Sequence, residues 1–145
     1  MSGEKRVSVG VGAVIFRGHE VLLIRRAKPP FRGQWSIPGG KPQYGETLRA
    51  ALAREVAEET GCLVALKGLI DVFEALPGDG GEVTDHMILV DYWGEWISGE
   101  PAAGDDAEAA EFVAIPEALK RLSWDKTRTA IAGALACRDA AQKTL

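Results

Sequence analysis

Residues 40–62 read GKPQYGETLRAALAREVAEETGC, and the reading of the rest of the chain starts from them. Residues 47–60 hold four alanines and neither Gly nor Pro, which is helical composition. Thr47 has an N-cap side chain, and Gly61 suits a left-handed stop. On that helix Glu55, Glu58 and Glu59 stand at i, i+3 and i+4. They share one face, within an arc of about 100°. Three ionised carboxylates on adjacent turns repel one another near neutral pH. A solvated acidic face is the ordinary answer to that repulsion. The helical wheel argues against it, because Leu48, Leu52 and Val56 overlap the acidic arc. The opposite side carries Ala50, Ala53 and Ala57, small enough to let another element pack closely. The helix is therefore expected to be covered on several sides, with its acids directed into a cleft. Buried carboxylates need partners, and hard divalent cations such as Mg²⁺ favour oxygen ligands.

The neighbouring residues fit that picture. Arg54 adjoins the acids and can orient one of them, and Glu46 at the helix start can hold Arg54 in turn. Gly39 and Gly40 let the backbone approach a metal or a phosphate closely, with the Gly40 carbonyl as a possible ligand. Taken alone, that glycine pair is simply a turn.

Outward from this stretch, residues 7–16 read as a strand ending in the turn Arg17-Gly18-His19-Glu20, and residues 21–24 pair back as a hairpin. A loop marked by Pro29, Pro30, Gly33 and Pro38 leads to the glycine pair. Further strands are expected at 63–66, 69–76, 83–97 and 111–115, with a loop at 77–81 and a bulge or bend at Gly94. Pro116 suits the opening of a short helix, and residues 125–142 form a final amphipathic helix. This order predicts a mixed sheet sandwiched between helices, within a single domain spanning residues 1–145.

Composition bounds the function. The chain has 145 residues, 46% of them apolar and 26% charged, with a net charge of −4. Such an acidic surface has no electrostatic footprint for coating nucleic acid or an anionic membrane. No apolar run approaches the ~18 residues of a membrane span, and residues 1–6 lack the apolar core of a signal peptide. Cys62 and Cys137 form neither a metal spacing nor a disulfide framework, so a reducing cytoplasm is expected.

The spacing from Gly40 through Glu46 to Arg54-Glu55-Val56-Ala57-Glu58-Glu59-Thr60-Gly61 resembles the Nudix box of hydrolases acting on nucleoside diphosphates linked to another group X. All seven fixed positions match, which chance would produce in roughly one start in 10⁹ at average composition. Cys62 stands where the family has an aliphatic residue, a mild departure filled by another small hydrophobe. The resemblance implies an α/β/α sandwich with a mixed sheet. It implies Mg²⁺, or Mn²⁺, on Glu55, Glu58 and Glu59 with the Gly40 carbonyl, and water attack on a phosphorus. In such enzymes the general base comes from this helix or from a loop before the last strand. Here that loop holds Asp106, with Glu108 its rival, and a merely solvated acidic loop as the alternative.

The flanking segments resemble bacterial ADP-ribose pyrophosphatase-like members. The expected substrate is thus a small nucleotide, ADP-ribose or a similar ADP-sugar cleaved to AMP and a phosphorylated sugar. Sanitation of oxidised nucleoside triphosphates is the alternative, and a nucleotide-binding regulator the non-enzymatic one. Arg25 or, with preference, Arg26 would clamp phosphate oxygens. Trp35 or Phe31 would stack on a base or plug the core, and Gly39 would line the site. A monomer and a homodimer are both compatible, since residues 87–90 can face a core or a partner.

Overall fold

The computed structural model describes residues 5–143; residues 1–4 and 144–145, and with them most of the stretch read for a leader, lie outside the described residues. A mixed sheet carries strands β1 (Val7–Arg17), β2 (Glu20–Arg26), β3 (Trp35–Ser36), β4 (Gly39–Gly40), β5 (Leu63–Ala75), β6 (His86–Ser98) and β7 (Ala107–Ala114). Its main path runs β3-β2-β1-β6-β5, with β4 paired to β1 and β7 to β2. The pairing of β1 with β6 is parallel and the others are antiparallel. Helix α1 (Leu48–Thr60) packs on one face, and α2 (Ile115–Arg121) and α3 (Asp125–Lys143) on the other. This is the expected sandwich.

Alternation along β1 builds both layers. Val11, Ala13 and Ile15 meet Ala51, Leu52 and Val56 of α1, whereas Val14 and Phe16 meet Ala118 of α2 and Ala130, Ile131 and Ala134 of α3. The chain from 87 to 90 faces this interior on both sides of the sheet, Ile88 and Val90 toward α1 and Met87 and Leu89 away from it. Among the described residues, no helix is long and apolar enough to cross a membrane.

Several expectations need correction. Residues 63–75 form one strand, not two; of the three register shifts between β5 and β6, the one at Gly94 lies on β5, where Lys67 is an extra residue opposite Gly94 and Trp93. Residue 83 falls outside β6 and closes the preceding turn, its carbonyl accepting from Gly78 N–H. The last strand starts at Ala107, earlier than expected, since pairing with β2 overrides the weak strand preference of its alanines. Ala50, Ala53 and Ala57 are exposed, so none of the described residues covers that side of α1.

Leu52 is fully buried between α1 and the sheet. Leu52→Ala should therefore lower the unfolding free energy by about 2–5 kcal/mol, read from a denaturant titration.

Candidate active site

Thr47 caps α1 as expected, its Oγ1 accepting from Ala50 N–H at 3.1 Å, and Gly61 ends the helix at φ 73°. With Leu52 and Val56 buried on the sheet, the adjoining acids are carried to the rim of the interface. Strand β4 meets them there. It pairs with β1 through Val11↔Gly40 and Gly12↔Gly39. A Cβ at Gly40 would lie 2.3 Å from the Glu55 carboxyl carbon, so only glycine admits this approach. Gly39 N–H donates to Glu59 Oε1 at 2.8 Å.

Arg54 lies at the centre of the acidic rim. Its Nε and Nη2 donate to the two oxygens of Glu46 at 2.8 and 2.9 Å, and Nη1 donates to Glu55 at 2.9 Å and Glu58 at 3.2 Å. Glu46 is held in turn by Gln43 N–H at 2.7 Å. The guanidinium and that N–H bring the Glu46 carboxyl down to about 2, and the same pairs raise Arg54. Burial pushes the other acids the opposite way. Glu55 is raised despite Arg54, and Glu59, only 4% exposed, is pushed up to about 7 despite the Gly39 N–H.

The loop before β7 contributes a further carboxylate to the rim. Gly104 N–H donates to the Glu59 carbonyl, clamping the loop to the end of α1. Asp105 follows with φ 50°, a left-handed conformation that Asp tolerates better than most residues. Carboxylate oxygens of Glu55, Glu58 and Asp105 all lie within 4.8 Å of one another. The sequence reading had singled out Asp106 and Glu108 instead. Asp106 pairs with Lys28 at 2.7 Å, and Glu108, already within β7, pairs with Arg25 at 2.8 Å. Neither joins the cluster. Three acids within 105–108 were visible in sequence, but which one turns inward depends on the backbone clamp to α1.

A cavity of about 330 Å³ opens on the other side of β4, lined by Gly39, Gly40, Arg26 and Trp35 among others. Arg26 is lowered by burial, with Glu59 and Asp106 opposing that shift, and its Nε donates to the Pro30 carbonyl at 2.6 Å. Arg25 is outside the cavity lining and its guanidinium lies 5.9 Å from the Trp35 ring centre. Trp35 also packs on the α3-side core, and Phe31 lies against Trp124 with ring centres 5.0 Å apart. One lining residue had no part in the sequence reading. Asp91 on β6 is 7% exposed, and burial pushes its carboxyl up to about 7.

The NUDIX domain model matches residues 6–132. The chain belongs to the Nudix family. It is 36% identical over 118 residues to the ADP-ribose pyrophosphatase of Methanocaldococcus jannaschii, covering 81% of this chain and 68% of that protein. It is 47% identical over 58 residues to the 8-oxo-dGDP phosphatase NUDT18 of Homo sapiens, covering 40% of this chain and 18% of that one. Its fold matches the MutT NUDIX hydrolase from Burkholderia pseudomallei at a TM-score of 0.74 and 30% identity, covering 89% of this chain and 98% of that one. The resemblance drawn from residues 40–62 therefore holds, and with it the fold.

Asp91 gives a stability prediction with a definite sign. Its ordinary value is 3.8, so from about pH 4 to pH 7 the unfolded chain ionises it while the folded chain keeps it protonated. The folded state binds the extra proton, so this group lowers stability as pH rises through that window and adds nothing further above it. Asp91→Asn should be more stable than the parent at pH 8, with the gap closing toward pH 4. Melting temperatures of the pair measured at those pH values check this, and a pH-independent gap would count against it.

Proposed function

We propose that the chain hydrolyses the diphosphate bond of an ADP-sugar, ADP-ribose foremost, to AMP and a phosphorylated sugar. The carrying observation is the convergence of Glu55, Glu58 and Asp105 beside a nucleotide-sized cavity, with the glycines of β4 between them. The likeness to the archaeal ADP-ribose pyrophosphatase over most of the chain supports the adenylate choice.

The acidic rim fits a divalent cation. Arg54 supplies one positive charge to Glu46, Glu55 and Glu58 together, which leaves the cluster with an excess of negative charge. Its donors are all carboxylate oxygens, the chemistry Mg²⁺ and Mn²⁺ select. Glu55, Glu58 and Asp105 would hold the cation, with Glu59 and the Gly40 carbonyl next to them. Bound there, it would neutralise diphosphate charge and polarise the bond to be broken.

The residues of the chain do the rest. Arg54, locked by Glu46, fixes the orientation of Glu55 and Glu58. Arg26 places a half-buried positive charge on the cavity wall, where phosphate oxygens would lie. A water oxygen attacks one phosphorus, the phosphorus–oxygen bond to the other phosphate breaks, and the proton passes to a carboxylate. Glu58 Oε1 is suited to receive it, since Arg54 engages only Oε2. Asp106 and Glu108 serve as partners of Lys28 and Arg25 at the edge of this arrangement.

Two measurements test the proposal. Glu58→Gln should lower kcat by about 10²–10⁴-fold with an unchanged melting temperature, and a variant with parental turnover would sink the assignment. Incubation with Mg²⁺ and a panel of ADP-ribose, ADP-sugars, dNTPs and 8-oxo-dGTP should yield AMP and ribose 5-phosphate at the highest kcat/KM. The short match to the human 8-oxo-dGDP phosphatase favours a second reading, sanitation of oxidised nucleotides. A preference for 8-oxo-dGTP would install that reading, and loss of all turnover in chelator should accompany either.

A further inference from the structure

The floor of the cavity is unusual in its chemistry. On β6, Met87, Leu89 and Asp91 alternate onto the same face and line it. Beside them on β1, in parallel register, stand Gly10 opposite Leu89 and Gly12 opposite Asp91. Both glycines make room for the side chains of β6, which lean over them. A Cβ at Gly10 would lie 3.2 Å from Leu89 Cδ2, and one at Gly12 would lie 2.6 Å from Asp91 Oδ1 and 3.1 Å from Ile37 Cδ1. Phe31, stacked against Trp124, and Val83 complete an apolar lining. The result is a largely apolar hollow, lined also by Asp85 and three basic residues, with the buried Asp91 carboxyl in its wall.

That carboxyl has nothing to do in the protein itself. Among the described residues, the Asp91 side chain makes no hydrogen bond and no ion pair. The charged groups lining the same cavity are Arg26, Lys41, Asp85 and Lys126, and none of them forms an ion pair with it. A polar group this deeply buried costs stability unless something satisfies it. It lines open cavity space, so a ligand can supply the partner.

We infer that Asp91 is a specificity-determining residue that reads the N1 and N6 edge of an adenine base seated in this hollow. The inference rests on the adenylate reading proposed above. The chemistry selects the base. A protonated carboxyl presents an O–H donor and a carbonyl acceptor side by side. Adenine offers the complement, an acceptor at N1 and an amino donor at N6. Guanine offers two adjacent donors, at N1 and N2, which call for an ionised carboxylate. Burial pushes the Asp91 carboxyl up to about 7, which shifts it toward the protonated form that suits adenine. The apolar side chains of the lining serve the faces of the ring, and Gly12 gives the Asp91 carboxyl its place in the wall.

The test is equilibrium binding of AMP, GMP, ribose 5-phosphate and purine riboside 5′-monophosphate, which lacks the N6 amino group. The parent protein should bind AMP at least tenfold tighter than ribose 5-phosphate and about tenfold tighter than the purine riboside nucleotide. Asp91→Leu should lose that preference for AMP. Asp91→Asn, whose amide also pairs a donor with an acceptor, should restore it. Melting temperatures of both variants check the fold. A parent that binds AMP no better than ribose 5-phosphate, or prefers GMP, overturns the adenylate reading and this inference together. A parent that prefers AMP while Asp91→Leu keeps the same preference overturns the role of Asp91 alone. If Asp91→Leu does not fold, the purine riboside comparison decides with parental protein, and equal binding of that nucleotide and AMP overturns the role.

Discussion

The acidic rim depends on one guanidinium. Without Arg54, the carboxylates of Glu46, Glu55 and Glu58 would repel one another across a partly buried edge. The two-pronged pair with Glu46 fixes the guanidinium plane, and the remaining nitrogen then reaches two further acids at once. Lysine could not substitute, because a point charge on a flexible stem cannot hold three carboxylates in a set geometry. Glu46 is itself anchored to the Gln43 backbone, so the constraint is passed from loop to fork to helix. The acids are thus held in place before any ligand arrives, a preorganised field of negative charge.

A second constraint is thinness. The rim and the hollow lie near opposite faces of one sheet, and they act on one substrate only if the wall between them is slight. Gly39 and Gly40 provide that wall. Their backbone pairs with β1, donates to Glu59, and touches Glu55 with no side chain in between. Gly12, the next step inward, gives the same clearance to Asp91. A line of glycines therefore runs from the acids of α1 to the carboxyl of β6.

The helix and its acids were legible in sequence because their causes are local. A cap, a stop, an alanine-rich composition and an i, i+3, i+4 spacing all lie within residues 47–61. The same residues misled where the answer was not local. Ala50, Ala53 and Ala57 are as compatible with water as with close packing, and none of the described residues covers them. Strand β7 was read short because its alanines carry no strand signal, and only the partner strand β2 reveals it. That error moved Glu108 from strand to loop. The choice among Asp105, Asp106 and Glu108 was likewise out of reach, since it turns on Gly104 meeting a carbonyl of α1. Asp91 was missed because one acid at the end of an apolar run gives no local sign of which way it faces. Its strand is flanked by β1 and β5, and Asp91 lines the cavity.

Two buried acids stand apart, one expected from the sequence and one not. Glu59 and Asp91 both sit where burial pushes a carboxyl up to about 7, and neither forms a close ion pair with a cation. A fold selected only for stability would replace them with apolar residues of similar size. Their environments differ in a way that matches different uses. Glu59 keeps one oxygen tied to Gly39 N–H and lies within the electrostatic reach of Glu55, Arg26 and Asp105, so its charge is part of a shared field. Asp91 feels only its own burial, which leaves its protonation to be set by whatever fills the hollow. The chain thus spends stability in two places, once to gather charge where a diphosphate would break and once to keep a neutral hydrogen-bonding edge where a base would rest. The second site sets what the first acts on, because a leaving group is cleaved only after its nucleotide has been seated.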